Sequence, residues 1–126
     1  MKLAPIVLFT YNRPVHTRKT LDALSRNPEA SESELFIFCD GAKSDSNSEN
    51  LGKIDQVVKI AKNENGFKKV NVIVQKNNKG LASSIKDGVT KIINEFEKVI
   101  VLEDDIVTSA GFLKYMNDAL LCYQDN

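Results

Sequence analysis

Three acidic residues in succession, Glu103, Asp104 and Asp105, close an apolar run that reads Val99-Ile100-Val101-Leu102. Adjacent carboxylates repel one another, and a cation beside them relieves that repulsion. Mg²⁺ and Mn²⁺ favour such oxygens, taking one or two protein carboxylates and completing their shell with water and substrate phosphates. The triplet is therefore a candidate site for a divalent metal and a diphosphate. The plainer alternative is a solvated turn, or a cap on the last helix with Asp105 near its positive end.

Three other polar groups stand in the same relation to an apolar run. Thr10-Tyr11-Asn12-Arg13 follows Ile6-Val7-Leu8-Phe9, Asp40-Gly41 follows Leu35-Phe36-Ile37-Phe38-Cys39, and Asn77-Asn78-Lys79-Gly80 follows Val70-Asn71-Val72-Ile73-Val74. In an open α/β sheet, ligands bind beyond the carboxyl ends of the strands. Four such ends meeting at one edge make a single composite site.

The elements that must bring them together alternate regularly. The apolar runs are of strand length and apolar throughout, as expected of a parallel sheet covered on both faces. Between them lie segments of helical period. Asn12 can cap and Pro14 can open a first helix, which carries Val15, Leu21 and Leu24 inward and stops near Asn27-Pro28. Leu51, Ile54, Val57, Val58 and Ala61 mark a second helix after a polar loop. Leu81, Ile85, Val89, Ile92, Ile93 and Phe96 mark a third, and Phe112, Leu113, Met116, Leu120 and Tyr123 a fourth. The expected fold is α/β, a Rossmann-like, open, mostly parallel sheet with helices on both faces. Residues 1–126 read as one domain, without repeats or an internal linker.

Bulk composition narrows the function classes. Lys plus Arg and Asp plus Glu both number 17, so no net field attracts nucleic acid or anionic lipid. Lys68, Lys69, Lys76 and Lys79 read as solvated surface rather than a nucleic-acid patch. Cys39 and Cys122 both sit in apolar segments and are expected to be buried reduced thiols. No apolar run approaches the roughly 20 residues that span a bilayer, and the opening residues lack a signal-peptide cleavage region. A cytoplasmic protein without a transmembrane segment is expected. His16, the only histidine, lies near Arg18 and Lys19 and reads as solvated or packed, not as a catalytic base. A P-loop is excluded because no Gly-rich loop ends in Lys-Ser or Lys-Thr, and no G-x-G-x-x-G follows the first run. A phospho-receiver domain would carry its acidic pair after the first strand, not the fourth.

Pro5-Ile6-Val7-Leu8-Phe9-Thr10-Tyr11-Asn12-Arg13-Pro14, Asn78-Lys79-Gly80-Leu81-Ala82 and Glu103-Asp104-Asp105 occur in this order over nearly the whole chain. In that order they resemble family-2-type nucleotide-diphospho-sugar glycosyltransferases of the GT-A fold. The triplet is similar to their Asp-x-Asp metal motif, in the Glu-Asp-Asp form of the N-acetylglucosaminyltransferase I type. The resemblance implies a nucleotide-diphosphate sugar, a UDP-sugar, as donor and a glycan or other acceptor. By the same resemblance Thr10, Tyr11 and Asn12 line the base and ribose, and Asp40 accepts a hydrogen bond from uracil N3–H. Arg13 reaches the nucleotide or phosphates, and Lys79 and Gly80 pass close to the nucleotide. Glu103 touches the ribose, Asp104 the donor sugar, and Asp105 holds Mn²⁺ or Mg²⁺. It further implies an acceptor-binding half and a general base outside this chain, which ends at Gln124-Asp125-Asn126 one helix beyond the triplet.

Plainer readings stand beside these roles. Arg13 also suits the surface of a first helical turn, and Lys79-Gly80 a plain turn before a helix. A sugar-nucleotide nucleotidyltransferase shares such a sheet, but normally opens with a Gly-rich triphosphate loop where this chain has Thr10-Tyr11-Asn12-Arg13. A non-catalytic binding module retaining the fold is the third reading, and it predicts no metal-dependent nucleotide affinity.

Overall fold

A computed structural model describes residues 2–124, without the side chain of Gln124; Asp125 and Asn126, at the end of the sequence, lie outside the described residues. Among the described residues the elements run β1 (Ile6–Thr10), α1 (Pro14–Ser25), a 3₁₀ turn (Pro28–Glu32), β2 (Glu34–Cys39), α2 (Ser48–Asn63), β3 (Lys69–Val74), α3 (Leu81–Phe96), β4 (Ile100–Glu103) and α4 (Phe112–Gln124). The four strands form one all-parallel sheet in the order β3-β2-β1-β4. This is the expected Rossmann-like α/β architecture.

The strand order has a consequence for the site. The chain steps outward from β1 to β2 to β3, then returns past both to place β4 on the other side of β1. The right-handedness of parallel crossovers puts connections of opposite direction on opposite faces. Accordingly α1 and α2, with α4, cover one face, where Leu21, Leu24, Val57, Ala61 and Leu113 meet Ile6, Leu8, Leu35 and Ile37. The returning helix α3 covers the other, where Ile92 meets Val7, Phe9, Phe36 and Phe38. The reversal between β1 and β4 is a topological switch point, where the loops leaving adjacent strands diverge and open a crevice.

Burial departs from the pattern in the sequence at several points. β1 is wholly buried, but the edge strand β3 is half-covered, and Val101 of β4 is exposed because one helix cannot span the whole second face. Val15 points to solvent, 62% exposed; the inward face of α1 is Thr17, Thr20, Leu21 and Leu24, at three- and four-residue spacing. Both threonine hydroxyls are satisfied, Thr17 donating to the Arg13 carbonyl and Thr20 to that of Asp104. The inner face of α3 is centred on Ser84, Gly88 and Ile92, while Leu81 and Ile93 are exposed. A Cβ on Gly88 would lie 2.9 Å from the Phe9 ring, so only glycine allows α3 this close to the sheet. Cys39 is buried as expected, and burial raises its thiol pKa, opposed by a hydrogen bond with Thr10. Cys122, however, is exposed near the end of α4, whose contact with the core is carried by Leu113, Met116 and Leu120.

Asn27, at the head of the 3₁₀ turn, ties α1 to α4. Its amide donates to the Ala23 and Leu24 carbonyls at the end of α1, and its Oδ1 accepts from Leu113 N in the first turn of α4. No helix among the described residues is long and apolar enough to cross a membrane.

Candidate functional site

A cleft of about 300 Å³ opens at the carboxyl ends of the strands. Thr10, Tyr11, Asn12 and Arg13 line it from β1, Asp40 and Lys43 from β2, Asn78 and Gly80 from the β3–α3 loop, and Glu103 and Asp104 from β4. Its apolar wall is Phe9, Phe38 and Leu81, with Ser84 beside them. Phe9 and Phe38 face each other across the β1–β2 register, and their rings stack with centroids 5.2 Å apart. Eight of the ten residues singled out from the sequence thus share one cavity. Lys79 and Asp105 are not among its lining residues.

The acidic triplet does not act as a cluster. Asp104 is buried and accepts a 2.6 Å ion-paired hydrogen bond from Arg13 Nη2, from the start of α1. Burial raises its pKa, and the nearby Arg13 guanidinium only partly offsets this. Glu103 is half-buried on the cleft wall, and Asp105 is exposed in the turn beyond it. The repulsion among adjacent carboxylates is therefore relieved in part by an arginine. Among the described residues no three His, Cys, Asp or Glu side chains are gathered as a ready metal cage. Glu103 and Asp105 remain the carboxylates available to a hard cation, which would need further oxygens from a ligand.

Asp40 is fully engaged. Its Oδ1 accepts from the backbone N–H of Gly41 and of Lys79, both at 2.9 Å. Its Oδ2 accepts from Gly80 N at 3.0 Å and from Asn78 Nδ2 at 3.2 Å. A carboxylate offers about four lone-pair positions, and all are taken. Asp40 thus folds the β3–α3 loop against the end of β2. Gly41 makes that approach possible, since a Cβ there would lie 2.6 Å from the Asn77 carbonyl carbon. Gly80 has a different reason: its φ is +80°, and a Cβ there would meet nothing within 4 Å. It is glycine for conformation. The Lys79 ammonium is turned onto α3, 2.6 Å from Asp87, whose carboxyl pKa is lowered by the hydrogen bond and charge of that lysine.

The β1 end is tied to α2. Asn12 does not cap α1, because Arg13 holds the cap position and Pro14 the first turn. Its amide donates instead to Asn50 Oδ1 at 2.8 Å, and Asn50 Nδ2 reaches Ser46 Oγ and the Tyr11 hydroxyl. Asn47 caps α2 by accepting from Asn50 N. Asn50, Lys43 and Ser84 escaped the sequence reading. Lys43 lies in a polar loop and Asn50 in the polar first turn of α2, neither with an apolar pattern around it, while the small pair Ser84 and Gly88, four residues apart, did hold a signal of close helix–sheet approach.

Neither models of known protein families nor the curated proteins contain a match to this chain. Its function has to be argued from the cleft alone.

Proposed function

We propose that this chain is the donor-binding domain of a metal-dependent glycosyltransferase that takes a nucleotide-diphosphate sugar, with UDP-sugars the favoured class. One observation supports this above the rest: residues from all four strand ends converge on one cleft at the switch point, lined by both aromatic rings and carboxylates. That lining suits a ligand that joins a flat, apolar ring to an anionic group held through a cation. Tyr11 offers an aromatic face to the base or ribose, positioned through Asn50. Arg13 and Lys43 supply cationic donors that can reach phosphate oxygens.

Glu103 and Asp105 would hold Mn²⁺ or Mg²⁺ together with the diphosphate. When bound, the metal would supply Lewis-acid stabilisation of the departing nucleoside diphosphate. Asp104 is better suited to orienting than to ligating, since Arg13 already holds it. Arg13 in turn can share its remaining N–H groups with a phosphate without releasing Asp104.

A binding module without catalysis is the second reading, and the Arg13–Asp104 pair favours it by lowering the need for a cation. Calorimetric titration with UDP, GDP and CDP, with and without Mn²⁺, separates the two. The transferase reading expects UDP binding that weakens at least tenfold with chelator or in Asp105→Ala. Metal-independent binding, or none, would refute it.

A further inference from the structure

Ser84 is 8% exposed, lines the cleft, and its Oγ has no hydrogen-bond partner. A buried hydroxyl without a partner is destabilising, and native structures keep few of them. Serine within a helix usually escapes this by bonding the carbonyl four residues back. That escape is not used: the Gly80 carbonyl accepts from Ser84 N but not from its hydroxyl, whereas the Arg13 carbonyl accepts both from Thr17. The helix that carries it begins at Leu81 and is preceded by Gly80, which has no side chain to cap the first turn. Gly80, Leu81 and Ser84 of this segment line the cleft together with Phe9 and Phe38.

The character of this part of the cleft limits what it can take. On this side of the lining, α3 contributes the Leu81 side chain and the neutral Ser84 hydroxyl, and the sheet contributes the Phe9 and Phe38 rings. The nearest loop is organised around the Asp40 carboxylate, which disfavours a second anion. The Arg13 and Lys79 cations are engaged by Asp104 and Asp87. A flat, uncharged ring bearing carbonyl oxygens fits the apolar rings and the Ser84 hydroxyl, while a phosphate would sit with Arg13 and Lys43, which line the same cleft. Asp40 has no acceptor position left for such a ring.

We propose that Ser84 is a specificity residue of the cleft, its hydroxyl hydrogen-bonding the carbonyl edge of a pyrimidine base placed against Phe9 and Phe38. This rests on the donor reading above and assigns base recognition within it to α3 rather than to Asp40.

The test uses Ser84→Ala in the full chain, with thermal melts and calorimetry in Mn²⁺. Two probes are compared: UDP, and ribose 5-diphosphate, which lacks only the base. Alanine removes the unpartnered hydroxyl and favours the helix, so the ligand-free variant should melt about 2–6 °C higher. The same change should weaken UDP about three- to tenfold, the worth of one neutral hydrogen bond. Affinity for ribose 5-diphosphate should be unchanged. Undiminished UDP affinity in the folded variant would overturn the role of Ser84 while leaving the donor reading intact. Equal losses for both probes would place the hydroxyl on the ribose or phosphates and overturn the base assignment. If the wild-type chain bound neither probe, this inference and the donor reading would fall together.

Discussion

Asp40→Asn separates two roles that one carboxylate could hold, organising a loop or reading a base. The side chain accepts four hydrogen bonds, three of them from backbone N–H groups of Gly41, Lys79 and Gly80. Asparagine keeps one oxygen, enough for about two of the four donors, and turns an N–H₂ group toward the others. Hydrogen bonds to a charged acceptor are worth about 1.5–3 kcal/mol each, and losses within one network do not add fully. The expected cost is about 2–4 kcal/mol, a large share of the roughly 5–15 kcal/mol of a typical domain. In thermal melts that corresponds to a drop of about 8–16 °C.

Urea unfolding would measure the loss, and amide exchange at Lys79 and Gly80 would locate it. Both amides should exchange much faster in the variant, while those of β1 should slow or quicken only with global stability. A stability loss under about 1 kcal/mol, or unchanged protection at Lys79 and Gly80, would refute the organising role. A variant that kept its stability yet lost UDP binding would show that the carboxylate contacts the ligand directly.

Two further perturbations follow from the same geometry. Gly41→Ala forces a Cβ to within 2.8 Å of three backbone atoms of Gln75 and Asn77 and should cost about 2–3 kcal/mol by chemical denaturation; Gly80→Ala meets open space and should cost only about 1 kcal/mol for its positive φ. Asp104 has a pKa raised above its unfolded value, chiefly by burial, so the folded state holds its proton longer. The stability it contributes is fully present below the ordinary carboxylate range and is lost as pH rises through its raised value. Subtracting the stability–pH curve of Asp104→Asn from that of the wild type should leave a difference that falls with pH across that window, and a flat or rising difference would contradict the burial argument.

The sheet was readable because its two central strands are buried on both faces. Ile6–Phe9 and Leu35–Cys39 are apolar at every position, and no helix of this length needs that. The outer strands were less legible in their burial: the same kind of run in β4 leaves Val101 exposed, since an apolar residue does not reveal how far its covering helix extends. Helix faces failed where small residues did the packing. Of the apolar stripe Leu81, Ile85, Val89, Ile92, Ile93 and Phe96 on α3, four residues pack with Phe9 and Phe38, while Leu81 and Ile93 are exposed; what apolar counting missed is the close approach at Gly88, which offers the rings no side chain. Close approach leaves a weak hydrophobic signature because it depends on what is missing.

The cleft residues were legible as a set for a topological reason, since parallel strands send every carboxyl end to the same edge. Their partnerships were not. Arg13 and Asp104 are 91 positions apart, and nothing in either neighbourhood announces the pair. Counting three carboxylates in a row suggested one acidic cluster. β4 ends at Glu103, however, and the chain turns at Asp104 and Asp105, so the three carboxylates meet different surroundings. Glu103 lies in register with Phe9 and shares the cleft with it, Asp104 turns to the α1 side where Arg13 and Thr20 hold it, and Asp105 is already in the exposed turn. A cation at this edge would therefore meet two carboxylates rather than three, and its remaining coordination would have to come from water and a bound diphosphate. Metal and nucleotide should then bind together far more tightly than either binds alone.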